Sequence, residues 1–380
     1  MREIETFFRQ KGISALLYVW RGLSAVTKGS FPKSLLGAGV KVPYIGSDLQ
    51  VKDKTVDSVT LQINSAREFK ILSATDMHLE GECFDLNSKS LKMLFDAIEK
   101  QRPNLVIFTG DCVQSNHQLI DAVQLAYMME KTGVYWCYAF GNHEAREEKE
   151  YFKYLIFKGL SYYPHFVGLF GRDELYGYGN YNINILDCDE KLKKSVFVFD
   201  SGRDIQPEKR EKYGVPADMN GYDFIKPSQI EWYLKKTAAL RKLYGGVKTL
   251  CYMHIPLPEY NEVFYFDETF PSRPTGRAEI LCGVMFESVG CSPFNSGFFE
   301  AAKNDGSLQA VFAGHDHIND FIALYEGIYL VYGRCTSYNT YNLDEKFGYP
   351  EEKCLRGATL TTLTDGDDIK IQHICKEGSL

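Results

Sequence analysis

The sequence predicts an α/β fold built on a parallel-type sheet covered on both faces, and three observations predict it. Several segments are short, almost unbroken apolar runs, as strands buried on both sides must be. Between them lie stretches with apolar residues at helical spacing. Polar residues of ligand chemistry come directly after the apolar runs, where the carboxyl ends of parallel strands gather ligands.

In chain order, residues 1–65 form an N-terminal segment of mixed character, partly packed on the core and ending in a strand at Ser58–Ile63. Phe69–Ser73 (FKILS) reads as a buried strand. Ser88–Gln101 reads as a helix, with Leu91, Leu94, Phe95 and Ile98 on one face, stopped by Pro103. Leu105–Phe108 is the next strand. His117–Lys131 is a second helix closed by Gly133, Val134–Ala139 a third strand, and Arg146–Lys158 a third helix. Asn182–Leu186 and Ser195–Asp200 are strands, Ser228–Tyr244 is a long helix, and Val247–Met253 is a strand. Pro256–Pro293 is loop-rich; within it, the aromatic run Tyr260–Phe270 reads either as a lid or as an insertion packed on the core. Gly297–Lys303 is a short helix and Leu308–Ala313 a strand. Phe321–Leu324, Ile328–Tyr332, Ala358–Leu363 and Ile369–Ile374 read as a strand-rich meander. With no repeat or linker in sight, residues 66–380 form a single domain with a loop-rich insertion at about 256–296.

The composition is that of a globular protein: 380 residues, 44% hydrophobic and 24% charged. A net charge of −7 disfavours nucleic acid, whose phosphates need clustered Lys and Arg. The ten cysteines include Cys112, Cys137, Cys188 and Cys251 in apolar, strand-like runs, with no CxxC pair, which points to packed thiols and a reducing, cytoplasmic setting. No run is long enough for a membrane span. Ile13–Trp20 reads as a short amphipathic helix ahead of a signal-peptide core, because Glu3 and Glu5 accompany Arg2, Arg9 and Lys11.

Five segments carry chemistry: Asp76-Met77-His78, Gly110-Asp111, Gly141-Asn142-His143-Glu144, His254, and Gly314-His315-Asp316-His317. In extended chain, residues two apart project to the same side, so Asp-x-His and His-x-His each offer two ligand atoms to one place. Imidazole and carboxylate without thiolate suit Mn, Fe or Zn. All five segments are expected to meet at one edge of one sheet. Singly, His254 reads as a packed histidine and Gly110-Asp111 as a turn; their joint occurrence carries the signal.

This ordered set resembles the signature of the calcineurin-like metallophosphoesterases. His254-Ile-Pro-Leu-Pro-Glu-Tyr260, Asn295-Ser-Gly-Phe298, Gly314 to Phe321 and Tyr332-Gly-Arg334 resemble the intracellular purple-acid-phosphatase-like branch. The resemblance implies a four-layer α/β/β/α sandwich, with two packed mixed sheets flanked by helices. It implies hydrolysis of a phosphate monoester by a hydroxide bridging two divalent ions, on a phosphorylated small molecule or phosphoprotein. Asp76, His78, Asp111 and His317 would hold one ion; Asp111, Asn142, His254 and His315 would hold the other. His143 would be a general acid or a positive stabiliser over the leaving oxygen, and Asn142 and His143 would also contact substrate. Gln114 stands where purple acid phosphatases carry an iron-binding tyrosine, so ferric colour is not expected.

Arg334 is read either as a phosphate anchor or as half of a surface ion pair. Asp316 is expected to face away from its flanking histidines, and Glu144 to orient a neighbour or cap a helix. His117 is read as structural or supporting, and His165 and His373 as surface or packing residues. Two alternatives stand beside the monoesterase: a phosphodiesterase with the same centre, and a non-catalytic scaffold on the same fold.

Overall fold

The computed structural model describes residues 39–64, 68–81, 83–114, 118–144, 150–266, 270–364 and 366–375. Ile13–Trp20, His117 and the start of the helix expected at Arg146 lie outside them. The first strands are β1 (Leu49–Lys54), β2 (Ser58–Ile63), β3 (Phe69–Ala74), β4 (Leu105–Thr109), β5 (Tyr135–Ala139), β6 (Tyr181–Leu186), β7 (Leu192–Val198) and β8 (Thr249–Tyr252). After them come β9 (Phe264–Tyr265), β10 (Arg273–Pro274), β11 (Glu279–Cys282), β12 (Leu308–Ala313), β13 (Ile322–Tyr325), β14 (Ile328–Tyr332), β15 (Gly357–Leu363) and β16 (Ile369–Cys375). The main helices are α1 (Phe84–Gln101), α2 (Gln118–Thr132), α3 (Glu150–Leu160), α4 (Pro227–Tyr244) and α5 (Phe298–Asp305).

Two mixed sheets result. The nine-stranded sheet has the order β1-β2-β6-β7-β8-β12-β14-β13-β11, and the five-stranded sheet the order β16-β15-β3-β4-β5. In the smaller sheet β3, β4 and β5 run parallel, each register set by apolar residues buried on both sides. In the larger sheet β7, β8, β12 and β14 run parallel.

Side chains along these central strands alternate between two cores, as a period of two demands. Val196, Val198, Leu250, Tyr252, Ala310 and Phe312 join Phe108, Trp136 and Tyr138 of the smaller sheet in the core between the sheets. Phe197, Cys251 and Val311 face the other way, against Trp232 and Tyr233 of α4 and Phe298 and Phe299 of α5. Leu91, Leu94, Phe95 and Ile98 of α1 and Leu125 and Met129 of α2 join the core of the smaller sheet. The layers are therefore helix, sheet, sheet, helix.

Three expectations are corrected. The five chemical segments do not hang from one sheet: Asp76, Asp111 and Asn142 come after β3, β4 and β5, whereas His254 and His315 come after β8 and β12 of the other sheet. The C-terminal strands are not one meander. β13 and β14 form a hairpin in the larger sheet, while β15 and β16 cross to the smaller one, where β15 pairs antiparallel with β3. Local sequence carries no record of such distant partners. Helix α1 starts before Ser88 because Asn87 clasps the backbone of Glu80, donating to its carbonyl at 2.6 Å and accepting from its N–H at 3.1 Å. The loop-rich insertion also holds β9, β10 and β11, and Tyr260 is wholly buried with its hydroxyl donating to the Val311 carbonyl at 2.9 Å. That half of the aromatic run is packing.

All ten cysteines are free thiols. Among the described residues, no helix is long and apolar enough to cross a membrane.

Phe157 of α3 joins this scaffold to the loop after β5. Its ring lies 5.6 Å from Phe140, 5.3 Å from Phe166 and 5.2 Å from Phe170. Phe157→Ala is expected to cost about 3–5 kcal/mol of stability. The shift in urea midpoint measures it, and a loss below about 1 kcal/mol contradicts the packing described.

Candidate metal centre

The backbone bends sharply to build the site. Asp76 (φ 53°), His78 (φ 45°), Asp111 (φ 50°) and His315 (φ 80°) all occupy the left-handed region. Non-glycine residues rarely do so, and the strain is held by surrounding structure. Here the loops are laced together: the Asp76 N–H donates to the Gly110 carbonyl at 3.0 Å and the His78 N–H to the Asp111 carbonyl at 2.9 Å. Two glycines are dictated by crowding. A Cβ on Gly141 would lie 2.1 Å from Asp111 Oδ1, and one on Gly314 would lie 2.0 Å from Thr75 Oγ1.

Hydrogen bonds join the sheets at this point. His315 N–H donates to Asp76 Oδ2 at 2.9 Å, and His254 Nδ1 donates to the Thr109 carbonyl at 2.9 Å. Each buried carboxylate uses one oxygen for structure. Asp76 Oδ2 also accepts from Thr75 Oγ1 at 2.7 Å, and Asp111 Oδ1 accepts from His143 N–H at 2.7 Å. The other oxygens face imidazoles. Asp76 Oδ1 is 3.5 Å from His317 Nε2 and 3.9 Å from His78 Nε2. Asp111 Oδ2 is 3.2 Å from His254 Nε2, 3.8 Å from His143 Nε2 and 3.9 Å from His78 Nε2. Asn142 Oδ1 lies 2.9 Å from His254 Nε2.

Three groups of donor atoms could each hold a cation: Asp76, His78 and His317; Asp111, His254 and His315; and His78, Asp111 and His143. The residues fit a divalent ion on three counts. Asp76 Oδ1 is buried and accepts no hydrogen bond. His254 Nδ1 faces a carbonyl and so carries a proton, which turns Nε2 toward the oxygens of Asp111 and Asn142. His78 and His317 bring their Nε2 atoms within 3.1 Å of each other while their Nδ1 atoms are bound to Gln114 Oε1 at 2.5 Å and Thr340 Oγ1 at 2.7 Å. With those Nδ1 atoms donating, two lone pairs meet, and a shared cation removes the repulsion.

The protein's own charges reflect the same demand. Burial alone would raise the Asp76 carboxyl, but the neighbouring imidazoles of His317 and His254 outweigh it and hold it at about 2. Burial likewise opposes ionisation of Asp111, yet the neighbouring His254 charge holds it well below the carboxylate range. Burial would lower His254, but Asp111 pushes it up to about 10. His78 and His315 are lowered by burial to about 4 and about 3. Protons on His254 thus do part of the neutralising that a cation would take over, so loading releases protons.

Glu144 has a larger role than its motif position discloses. Wholly buried, it accepts from the N–H groups of Asp111 (3.0 Å), Cys112 (2.7 Å) and Gly141 (2.6 Å) and from the Tyr138 hydroxyl (2.6 Å). It therefore fixes the loops after β4 and β5 to each other. Thr340 and the acceptor role of Gln114 leave no signal in the sequence. Asp316 points away from the cluster, accepting from the Gly290 N–H at 2.9 Å and from the Tyr332 hydroxyl. His165 bonds Glu130 at 2.7 Å and packs on Tyr135; His373 donates to the Asp320 carbonyl.

Arg334 is not brought to the cluster. Its Nε and a terminal nitrogen bond Asp320 Oδ2 at 2.8 and 2.7 Å, and its other terminal nitrogen approaches Cys375 Sγ at 2.8 Å. It is neither a phosphate anchor nor a surface pair: Asp320 is buried and requires a cation beside it.

A family model described as calcineurin-like phosphoesterase matches residues 69–319, which span every segment of the cluster. The Arabidopsis thaliana protein named "Probable inactive purple acid phosphatase 29" is 30% identical over 311 residues, covering 72% of this chain and 73% of its own length. "Phosphatase DCR2" of Saccharomyces cerevisiae is 26% identical over 284 residues, covering 69% of this chain and 46% of its own length. A dimetal phosphatase of known structure from Danio rerio covers 80% of this chain and 95% of its own, at 14% identity and a TM-score of 0.51, a likeness of fold. Together with the two packed sheets and the donors at their shared edge, these matches show that the chain belongs to the calcineurin-like phosphoesterase family, on its purple-acid-phosphatase-like branch.

Proposed function

We propose that the chain is a metal-dependent hydrolase of phosphate monoesters, acting on a phosphorylated small molecule or a phosphoprotein. The observation that carries this reading is the pair of donor groups, Asp76 with His78 and His317, and Asp111 with His254 and His315. Asp76, His78, Asp111 and His317 would hold one divalent ion, and Asp111, Asn142, His254 and His315 the other, with Asp111 shared. The donors suit Mn, Fe or Zn. Such a pair supplies positive charge toward a phosphoryl group and acidifies water.

The chain's own residues divide the remaining work. His143 keeps its side chain 21% exposed while Asp76, His78, Asp111 and His254 are almost wholly buried. It therefore stands on the side from which a substrate arrives. Its backbone is clamped at both ends, by Asp111 Oδ1 on its N–H and by Gln118 Nε2 on its carbonyl at 2.6 Å. From there its imidazole gives a proton to the departing ester oxygen or stabilises the charge that develops on it. Asn142, oriented through His254, shares that open side.

The word "inactive" in the name of the Arabidopsis relative is said of that protein. In this chain the complete donor set and His143 support catalysis. The reading is tested by hydrolysis of p-nitrophenyl phosphate and of bis(p-nitrophenyl) phosphate with added Mn. Preferential cleavage of the monoester, abolished by EDTA, is expected. Cleavage of the diester alone makes the chain a phosphodiesterase, and metal binding without any turnover makes it a scaffold.

Two substitutions separate the roles. Asp111→Asn is expected to lower bound metal, measured by elemental analysis, to well below one ion per chain. His143→Ala is expected to leave metal content within about a fifth of the parent while kcat falls by about 10²–10⁴-fold. An empty site in the His143 variant contradicts its role as a proton donor.

A further inference from the structure

With Arg334 committed to Asp320, the phosphate anchor expected from the sequence is missing from the cluster. Tyr222 occupies a suitable place. Its ring stands edge-on to His315, with centroids 4.3 Å apart and planes at 85°. It is half-buried, and its hydroxyl has no hydrogen-bond partner among the described residues. A phenol on the surface of a binding cluster with an unused donor is suited to an incoming oxyanion.

The residue is also held firmly. Its neighbours form a short antiparallel bridge with Arg203–Ile205, in which the Ile205 N–H donates to the Gly221 carbonyl at 2.9 Å and the Asp223 N–H to the Arg203 carbonyl at 3.1 Å. Just beyond, Asp223 is paired with buried Lys226 and accepts from the Tyr176 hydroxyl at 2.8 Å. Phe224 packs on Phe294 at 4.8 Å. A Cβ on Gly221 would touch Pro293 at 3.0 Å, so the segments carrying Tyr222 and Pro293 form one wall beside His315. A group fixed by such a wall loses little freedom when it binds.

We propose that Tyr222 is a substrate-binding residue whose hydroxyl donates a hydrogen bond to a non-bridging phosphoryl oxygen on the His315 side of the cluster. The proposal rests on the phosphatase reading above. It completes an open rim made by Asn142, His143 and Tyr222, three hydrogen-bond donors around a centre whose ions would supply further positive charge. The second ring of the His-x-His pair differs: Tyr341 packs on His317 at 4.4 Å, but its hydroxyl is spent on Glu287 Oε2 at 2.8 Å.

The test compares Tyr222→Phe and Tyr222→Ala with the parent, as full chains loaded with Mn. Inorganic phosphate binding is measured by calorimetry, alongside p-nitrophenyl phosphate kinetics and metal content. Tyr222→Phe keeps the ring on His315 and removes only the hydroxyl. It is expected to weaken phosphate binding and raise KM about tenfold, with metal content unchanged. A Tyr222→Phe protein that binds phosphate like the parent overturns the proposal, including the case where only Tyr222→Ala is impaired, because the ring alone then matters. A parent that binds inorganic phosphate but does not hydrolyse p-nitrophenyl phosphate defeats the phosphatase reading, and the phosphate affinities still decide the role of Tyr222.

Discussion

Two carboxylates buried to 0% and 1% exposure, Asp76 and Asp111, set the terms for everything around them. Leaving either unmatched in the interior would cost several kcal/mol. The chain answers with imidazoles from both sheets, so the charge problem can be solved only when the sheets are face to face. His315 reaches across to Asp76 and His254 to the Thr109 carbonyl. Electrostatics and sheet packing are thus one problem, and a cation that relieves the first also reinforces the second.

The precision of the cluster comes from groups behind it. An imidazole with one nitrogen tied to Gln114, Thr109 or Thr340 has little choice about where the other points. Glu144 does for the backbone what these acceptors do for the rings. By gathering amides from the loops after β4 and β5, it keeps Asp111 in a left-handed conformation that the residue would not adopt alone. Asp76, His78, Asp111 and His254 are almost wholly buried, whereas His143, Asn142 and Tyr222 are only partly so and meet solvent.

The strands and helices are legible in the sequence because each has a strong local period, and the motif residues are legible because parallel strands end where ligands gather. Leu105–Thr109, for example, is five buried residues with Gly110-Asp111 directly after them. What local pattern does not carry is partnership. Nothing in Gly357–Leu363 announces pairing with β3, and so the division of the donors between two sheets is invisible there. Arg334 misleads because a guanidinium near a phosphate motif invites that use, whereas the buried Asp320 that claims it looks in sequence like one more acidic residue. Tyr222 is one tyrosine among 25, and only its contact with His315 sets it apart.

The seating of β15 between β3 and β16 has a consequence for biosynthesis. While the ribosome is still translating, β3 can pair with β4, but its opposite side stays an open hydrogen-bonding edge. That edge closes only after Gly357–Leu363 has emerged, on the order of tens of seconds after β3 at ordinary elongation rates. The Asp76 loop waits equally long for the Thr336 N–H that binds the Thr75 carbonyl at 2.8 Å. Nascent chains of this protein therefore carry an unprotected strand edge for most of their synthesis, and the loop that holds Asp76 is completed only near its end.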